Sequence, residues 1–313
     1  MCEELSHRLI PLSEECLQWM KTCQYSHRTI DTYRLIFENF QSWLTEQPDM
    51  TELTDLTLQN LERYVVEISL RRSAKNRKKT VSSSTINSHI YGLKKLFSRL
   101  KSRGLIFQNP THEMDCPKRL RGLPRNILSP EQMLRILAQF HEQDHVGLRN
   151  RAAIELLYST GIRRGELAAL TLSSVSFPER LLVVSGKGGK ERLLPIGEQA
   201  LLAIRVYLTK GRMKFQSQKS NALFLSITGG AMCPRSLLRI LKIKTKKAGI
   251  RKKVDLHCIR HTCATHMLRN GADIRYIQEF LGHSRISTTQ IYTRVETSDL
   301  KKLLKDYHPR ERF

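Results

Sequence analysis

Between Gly104 and Asn126 the helical periodicity of the preceding residues stops, and Pro110, Pro117 and Pro124 gather among basic side chains. Such a stretch cannot continue a helix and offers little apolar surface to a core, so it reads as a linker. A chain of 313 residues also exceeds what one hydrophobic core usually fills. The expected division is a helical domain over 1–104, a linker over 105–125 and a second domain over 126–313. In the first part, Ile30, Tyr33, Phe37, Phe40 and Leu44 recur at helical spacing within 26–45. A second helix is expected over 58–70 and a third over 84–100, where Ile86, Ile90, Leu93 and Phe97 form the apolar stripe. The product is a small helical bundle with one basic side, interrupted by a polar, basic loop over 71–83.

After the linker, Ser129-Pro130-Glu131-Gln132 has the form of a capping box with Pro at the first helical position. An apolar helix follows around Ala152–Tyr158, a break at Thr160-Gly161, and a short helix from Gly165. Leu181–Val184 and Leu193–Ile196 read as strands joined by the glycine turn Gly186-Lys187-Gly188-Gly189-Lys190. Helices resume after Pro234. The fold class is therefore mainly α with a small antiparallel β-sheet, in two domains.

The 53 Lys and Arg residues against 29 Asp and Glu give a formal charge of +24, which points to a polyanion as partner. The charge is concentrated: no acid occurs from Arg71 to His112 or from Gln199 to Val254. One basic run is often only a solvated face, but two long acid-free tracts favour a phosphate track whose binding weakens with salt. The seven cysteines lack CxxC spacing, which favours a reducing, cytoplasmic setting over a disulfide framework. No leader-like segment opens the sequence and no apolar run approaches a membrane span, so no membrane partner is expected.

The chemistry-bearing residues crowd near the C-terminus. After the N-cap candidate Asp255, His257, Arg260 and His261 stand at i, i+3 and i+4 of one helix, which Asn270-Gly271 ends. Ala264 and Leu268 continue that stripe, so a histidine packed in the core is an alternative for His257. Zinc is disfavoured: the two histidines have the spacing of a zinc-protease helix, yet Cys258 stands where that motif needs Glu. Farther back, Thr160-Gly161-Ile162-Arg163-Arg164-Gly165-Glu166 places two arginines at a helix mouth, where Glu166 is able to satisfy one internally. Lys187 belongs to the hairpin turn, which lacks the spacing of a nucleotide-binding loop. Ser287-Thr288-Thr289-Gln290 reads as a further capping box that puts Tyr292 near a helix start.

Taken together, Thr-Gly-Ile-Arg-Arg-Gly-Glu-Leu, Gly-Lys-Gly-Gly-Lys-Glu-Arg-Leu-Leu-Pro-Ile, Leu-His-Cys-Ile-Arg-His-Thr-Cys-Ala-Thr-His, and Leu-Gly-His-Ser with Ile-Tyr-Thr-Arg-Val resemble the tyrosine recombinase (phage integrase) family, most of all its Xer-type and transposon-borne members. The first domain is similar to that family's SAM-like core-binding domain, so the resemblance covers nearly the whole chain. It implies a catalytic set of Arg163, Lys187, His257, Arg260, His283 and the nucleophile Tyr292, with no metal and no cofactor. In that scheme the arginines clamp the scissile phosphate with His283, Tyr292 attacks, His257 accepts its proton and Lys187 protonates the leaving 5'-hydroxyl. The implied partners are duplex DNA with specific recombination sites and a homo-tetramer in the synaptic complex, with or without a partner recombinase. Residues 299–313, with Leu300, Leu303, Leu304 and Tyr307 at helical spacing, suit docking either on a neighbouring subunit or on their own domain. A type IB topoisomerase and a noncatalytic DNA-binding regulator are the competing functions.

Overall fold

The computed structural model describes residues 2–73, 76–117, 126–140, 144–186, 191–215, 220–282 and 297–311, in two compact units, Met1–Arg121 and Gly122–Phe313. The first unit is the helical bundle: α1 (Cys2–Thr22), α2 (His27–Leu44), α3 (Leu58–Leu70) and α4 (Ser83–Ser102). Ser26, Thr57 and Ser82 cap the last three, each side chain accepting a backbone N–H from the residue three positions on. Leu9, Leu17, Phe37, Phe40, Leu61, Tyr64, Leu93 and Phe97 fill the core, with Phe40 and Tyr64 edge to face at 5.1 Å. At the crossing of α2 and α4, a Cβ on Gly92 would lie 2.6 Å from Cγ2 of Ile36, so only glycine permits this approach.

Two features of this unit depart from the expectation. Helix α1 runs through Pro11, whose missing N–H and ring normally end a helix. It persists because Leu5, Leu9, Leu17 and Met20 are buried in the common core, and tertiary burial outweighs the lost hydrogen bond. The basic segment after α3, expected as a loop, instead forms an antiparallel hairpin of β1 (Arg72–Ser73) and β2 (Asn76–Thr80). The N–H of Val81 donates to the Arg71 carbonyl and closes it.

The second unit contains α5 (Pro130–Leu137), α6 (His145–Thr160), α7 (Arg164–Ala169), β3 (Val175–Ser176), β4 (Leu181–Ser185), β5 (Glu191–Pro195), α8 (Glu198–Val206), α9 (Pro234–Lys247), α10 (Leu256–Arg269), α11 (Ile274–Leu281) and α12 (Thr297–Tyr307). The Ser129–Gln132 capping box is present. The sheet is antiparallel in the order β3-β4-β5, one strand more than expected, with Val184 of β4 opposite Arg192 of β5. Helix α6 is the spine: Ala152, Ala153, Ile154, Leu156, Leu157 and Tyr158 are all buried, so apolar neighbours surround it.

Of the two destinations open to the C-terminal residues, the structure has their own unit. Leu300, Leu303 and Leu304 belong to the same core as α6, and Asn270 Nδ2 donates to the Tyr307 carbonyl at 2.6 Å. His308, fully buried, bonds the Tyr158 carbonyl, and Arg310 pairs with the buried Glu155. No helix of the described residues is long and apolar enough to cross a membrane.

Candidate active site

Three of the six expected site residues, Arg163, His257 and Arg260, fall in the described structure; Lys187, His283 and Tyr292 lie outside the described residues. Gly161 ends α6 in the left-handed region at φ 58°, and the chain turns there into Arg163, the N-cap of α7. An added Cβ on Gly161 would meet Leu281 at 2.6 Å, so the end of α6 abuts the end of α11.

The arginines meet at that junction. Arg260, on α10 and only 6% exposed, donates through Nη2 to the Leu281 carbonyl at 2.7 Å and through Nη1 to the Gly161 carbonyl. Arg163 donates through Nη2 to the Gly282 carbonyl at 3.0 Å and through Nη1 to Glu166 at 3.0 Å. Two guanidiniums from separate elements are thus tethered to consecutive carbonyls at the C-terminal end of α11, where the helix dipole favours cations. Burial lowers the Arg260 pKa to about 10, and repulsion from Arg163 adds to it, so the group stays cationic at neutral pH. The side chain of Arg163 remains 43% exposed and reachable.

Glu166 ties the site to the sheet. Its carboxylate, 7% exposed, also receives both terminal nitrogens of Arg192 from β5, at 3.0 and 2.9 Å. Burial alone would raise its pKa, but the bonds from Arg192 and Arg163 prevail and hold it at about 2. The pairing of Glu166 with an arginine was visible in its i, i+3 spacing from Arg163. The contribution of Arg192 was not, because 26 residues separate it from Glu166.

His257 opens α10 after the Asp255 cap, whose side chain accepts the Cys258 N–H at 2.7 Å. It is exposed, which corrects the core-histidine alternative: the buried histidine of this helix is His266, held by Tyr158 and the Leu128 carbonyl. Partial desolvation depresses the His257 pKa, and nearby positive charge from His261, Arg164 and Arg260 adds to this against an opposing Asp255. Both influences favour the neutral form of the imidazole over the charged one. The His257 and His261 rings stand 6.4 Å apart, and among the described residues no group of three or more His, Cys, Asp or Glu side chains is placed to hold a metal ion.

Comparison with known proteins agrees along the chain. The profile of the phage integrase family matches residues 126–299, and that of the phage integrase N-terminal SAM-like domain matches residues 18–104. The sequence is 37% identical over 286 residues to tyrosine recombinase XerC 2 of Ralstonia nicotianae, covering 91% of this chain and 82% of the relative. It is 37% identical over 307 residues to tyrosine recombinase XerD of Haemophilus ducreyi, covering 97% and 99%. The fold also matches, at 20% identity, the XerH site-specific recombinase crystallised on its palindromic difH substrate after cleavage, with TM-score 0.69 over 82% of this chain and 73% of that one.

Proposed function

The chain belongs to the phage integrase family and is a tyrosine recombinase of Xer-like type, and on that premise we propose that it cuts and rejoins duplex DNA at specific sites through a covalent 3'-phosphotyrosyl link and a Holliday junction. The observation that carries this reading is the convergence of Arg163 and Arg260 on the carbonyls of Gly282 and Leu281, directly ahead of His283. Arg163 and Arg260 bind the nonbridging oxygens of the scissile phosphate and stabilise the charge that builds on them in the transition state, with His283 adding a hydrogen bond. Tyr292 Oη attacks phosphorus while its proton passes to His257, whose depressed pKa keeps it ready to accept. The P–O5' bond breaks, Lys187 supplies the proton to the departing oxygen, and the product is a 3'-phosphotyrosine with a free 5'-hydroxyl.

Because one phosphodiester is exchanged for another, no nucleotide is consumed and the step runs backward when a 5'-hydroxyl from a second duplex attacks. Two rounds of exchange make and resolve the junction, which calls for four protomers on two sites. The net charge of +24 supplies the sequence-independent part of DNA affinity. Incubating the protein with a nicked suicide duplex built on the junction sequence mapped from recombined DNA tests the reading. The parent accumulates a covalent adduct, and Tyr292→Phe gives none while still shifting the duplex; adducts persisting in that variant overturn the assignment of the nucleophile.

A further inference from the structure

The site contains a cation that the catalytic scheme does not use. Arg192 lies on β5, opposite Val184, on the strand that returns from the hairpin carrying Lys187. Its side chain is 21% exposed, far less than that of Arg163, and both Nη atoms face the Glu166 carboxylate. It runs beneath Gly282: a Cβ there would lie 2.9 Å from Arg192 Nε, and that residue's left-handed φ of 64° also favours glycine. The Nε is buried and has no hydrogen-bond partner among the described residues.

The arrangement matters for charge. A carboxylate paired with Arg163 alone would cancel the charge that the phosphate is to meet. Shared between two guanidiniums, Glu166 leaves the cluster net positive, with Arg260 adding a further charge nearby. It matters for geometry as well. Glu166 accepts the Arg163 backbone N–H at 2.7 Å through Oε2, the oxygen that also receives Arg192 Nη2. The bidentate Arg192 fork therefore fixes the plane of the carboxylate on which Arg163 leans.

We propose that Arg192 is a positioning residue for strand cleavage: through the Glu166 carboxylate it orients the Arg163 guanidinium and keeps its charge available to the scissile phosphate. This rests on the reading of Arg163 as a phosphate ligand. Arg192 touches neither DNA nor the reacting atoms in this role, so its loss changes the rate at saturation and not the affinity.

The test is single-turnover formation of the covalent adduct by the full chain on the nicked suicide duplex, with affinity measured on the same duplex. R192Q is expected to slow adduct formation about 100-fold, the scale of a displaced catalytic group, with duplex affinity unchanged. R192K, which keeps the charge but not the fork, recovers part of the rate. The double variant E166Q/R192Q forms adduct faster than R192Q, because the uncompensated carboxylate is gone. Parental rates in R192Q, or a loss seen only in affinity, overturn the proposal. If R192Q does not fold by circular dichroism, E166Q decides against E166Q/R192Q: without the carboxylate the second change alters the rate less than about threefold, and a larger loss overturns the proposal. R163A runs beside these. Normal adduct formation in R163A removes the underlying site reading, whereas a slow R163A with a fast R192Q removes this inference alone.

Discussion

Arg260 commits both terminal nitrogens to backbone carbonyls, Gly161 on one side and Leu281 on the other, while Arg163 shares itself between Gly282 and a carboxylate. Replacing either by Ala is expected to slow adduct formation by about two to three orders of magnitude, the cost of losing one oriented oxyanion donor. Arg260→Ala is also expected to lower the melting temperature more than Arg163→Ala, since it orphans two carbonyls in a buried place. Single-turnover rates and melting curves of both variants check this. A second residue contributes to acid stability. Burial pushes the fully buried His308 down to about 4, below the ordinary histidine value. Between pH 6.5 and 4, about where free and folded values lie, the unfolded chain binds a proton that the folded one refuses, so stability falls as pH drops through that window. The contribution is roughly 3 kcal/mol, and His308→Gln is expected to flatten that part of a stability curve measured by urea titration. That His257 and Arg260 lie close together was legible in their i, i+3 spacing, because a helix fixes which residues are neighbours, whereas Arg163 was singled out only by the family resemblance. Arg192 was not, since nothing local to β5 records which carboxylate it will meet.

Local rules placed α2, α3 and α4 within a residue or two of their observed ends, because each couples a Ser or Thr cap to a single apolar stripe. Helix α1 escaped those rules through Pro11, and the hairpin after α3 escaped them because its strands carry polar side chains with no alternation to read. The destination of α12 was open from sequence for a related reason: an amphipathic stripe states that a face is buried, not against which copy. Gly92 shows how a single position sets the spacing of two helices. Gly92→Ala gains about 1 kcal/mol of helix propensity, yet its Cβ would sit 2.6 Å from Ile36, and overpacking of that kind costs about 1–3 kcal/mol. The clash wins, so a lower urea midpoint for the helical unit is expected, with Gly92→Ala/Ile36→Ala recovering part of it.

At the scale of the whole molecule, the +24 charge is not uniformly available to DNA. Lys95 lies 4.4 Å from the Trp19 ring and 4.9 Å from that of Tyr25, and Arg99 and Arg103 both pair with Glu15, so much of the basic side of α4 is engaged within the bundle. On α9, Lys244 donates to the Gln139 carbonyl at 2.7 Å, whereas Lys242 and Lys246 are exposed. Lys242→Ala and Lys246→Ala are each expected to reduce the slope of log affinity against log salt by about 1. Lys244→Ala should leave the slope alone and lower thermal stability, and filter-binding titrations across salt concentrations separate the two behaviours. One of the two carbonyls that anchor Arg260 belongs to Gly161, which caps a helix whose residues from Ala152 to Thr160 are all buried. Such a segment is the last to exchange its amide hydrogens for deuterium. The anchor of Arg260 therefore holds until the core of its own unit opens, and loss of that contact on heating is expected to coincide with the melting of that core.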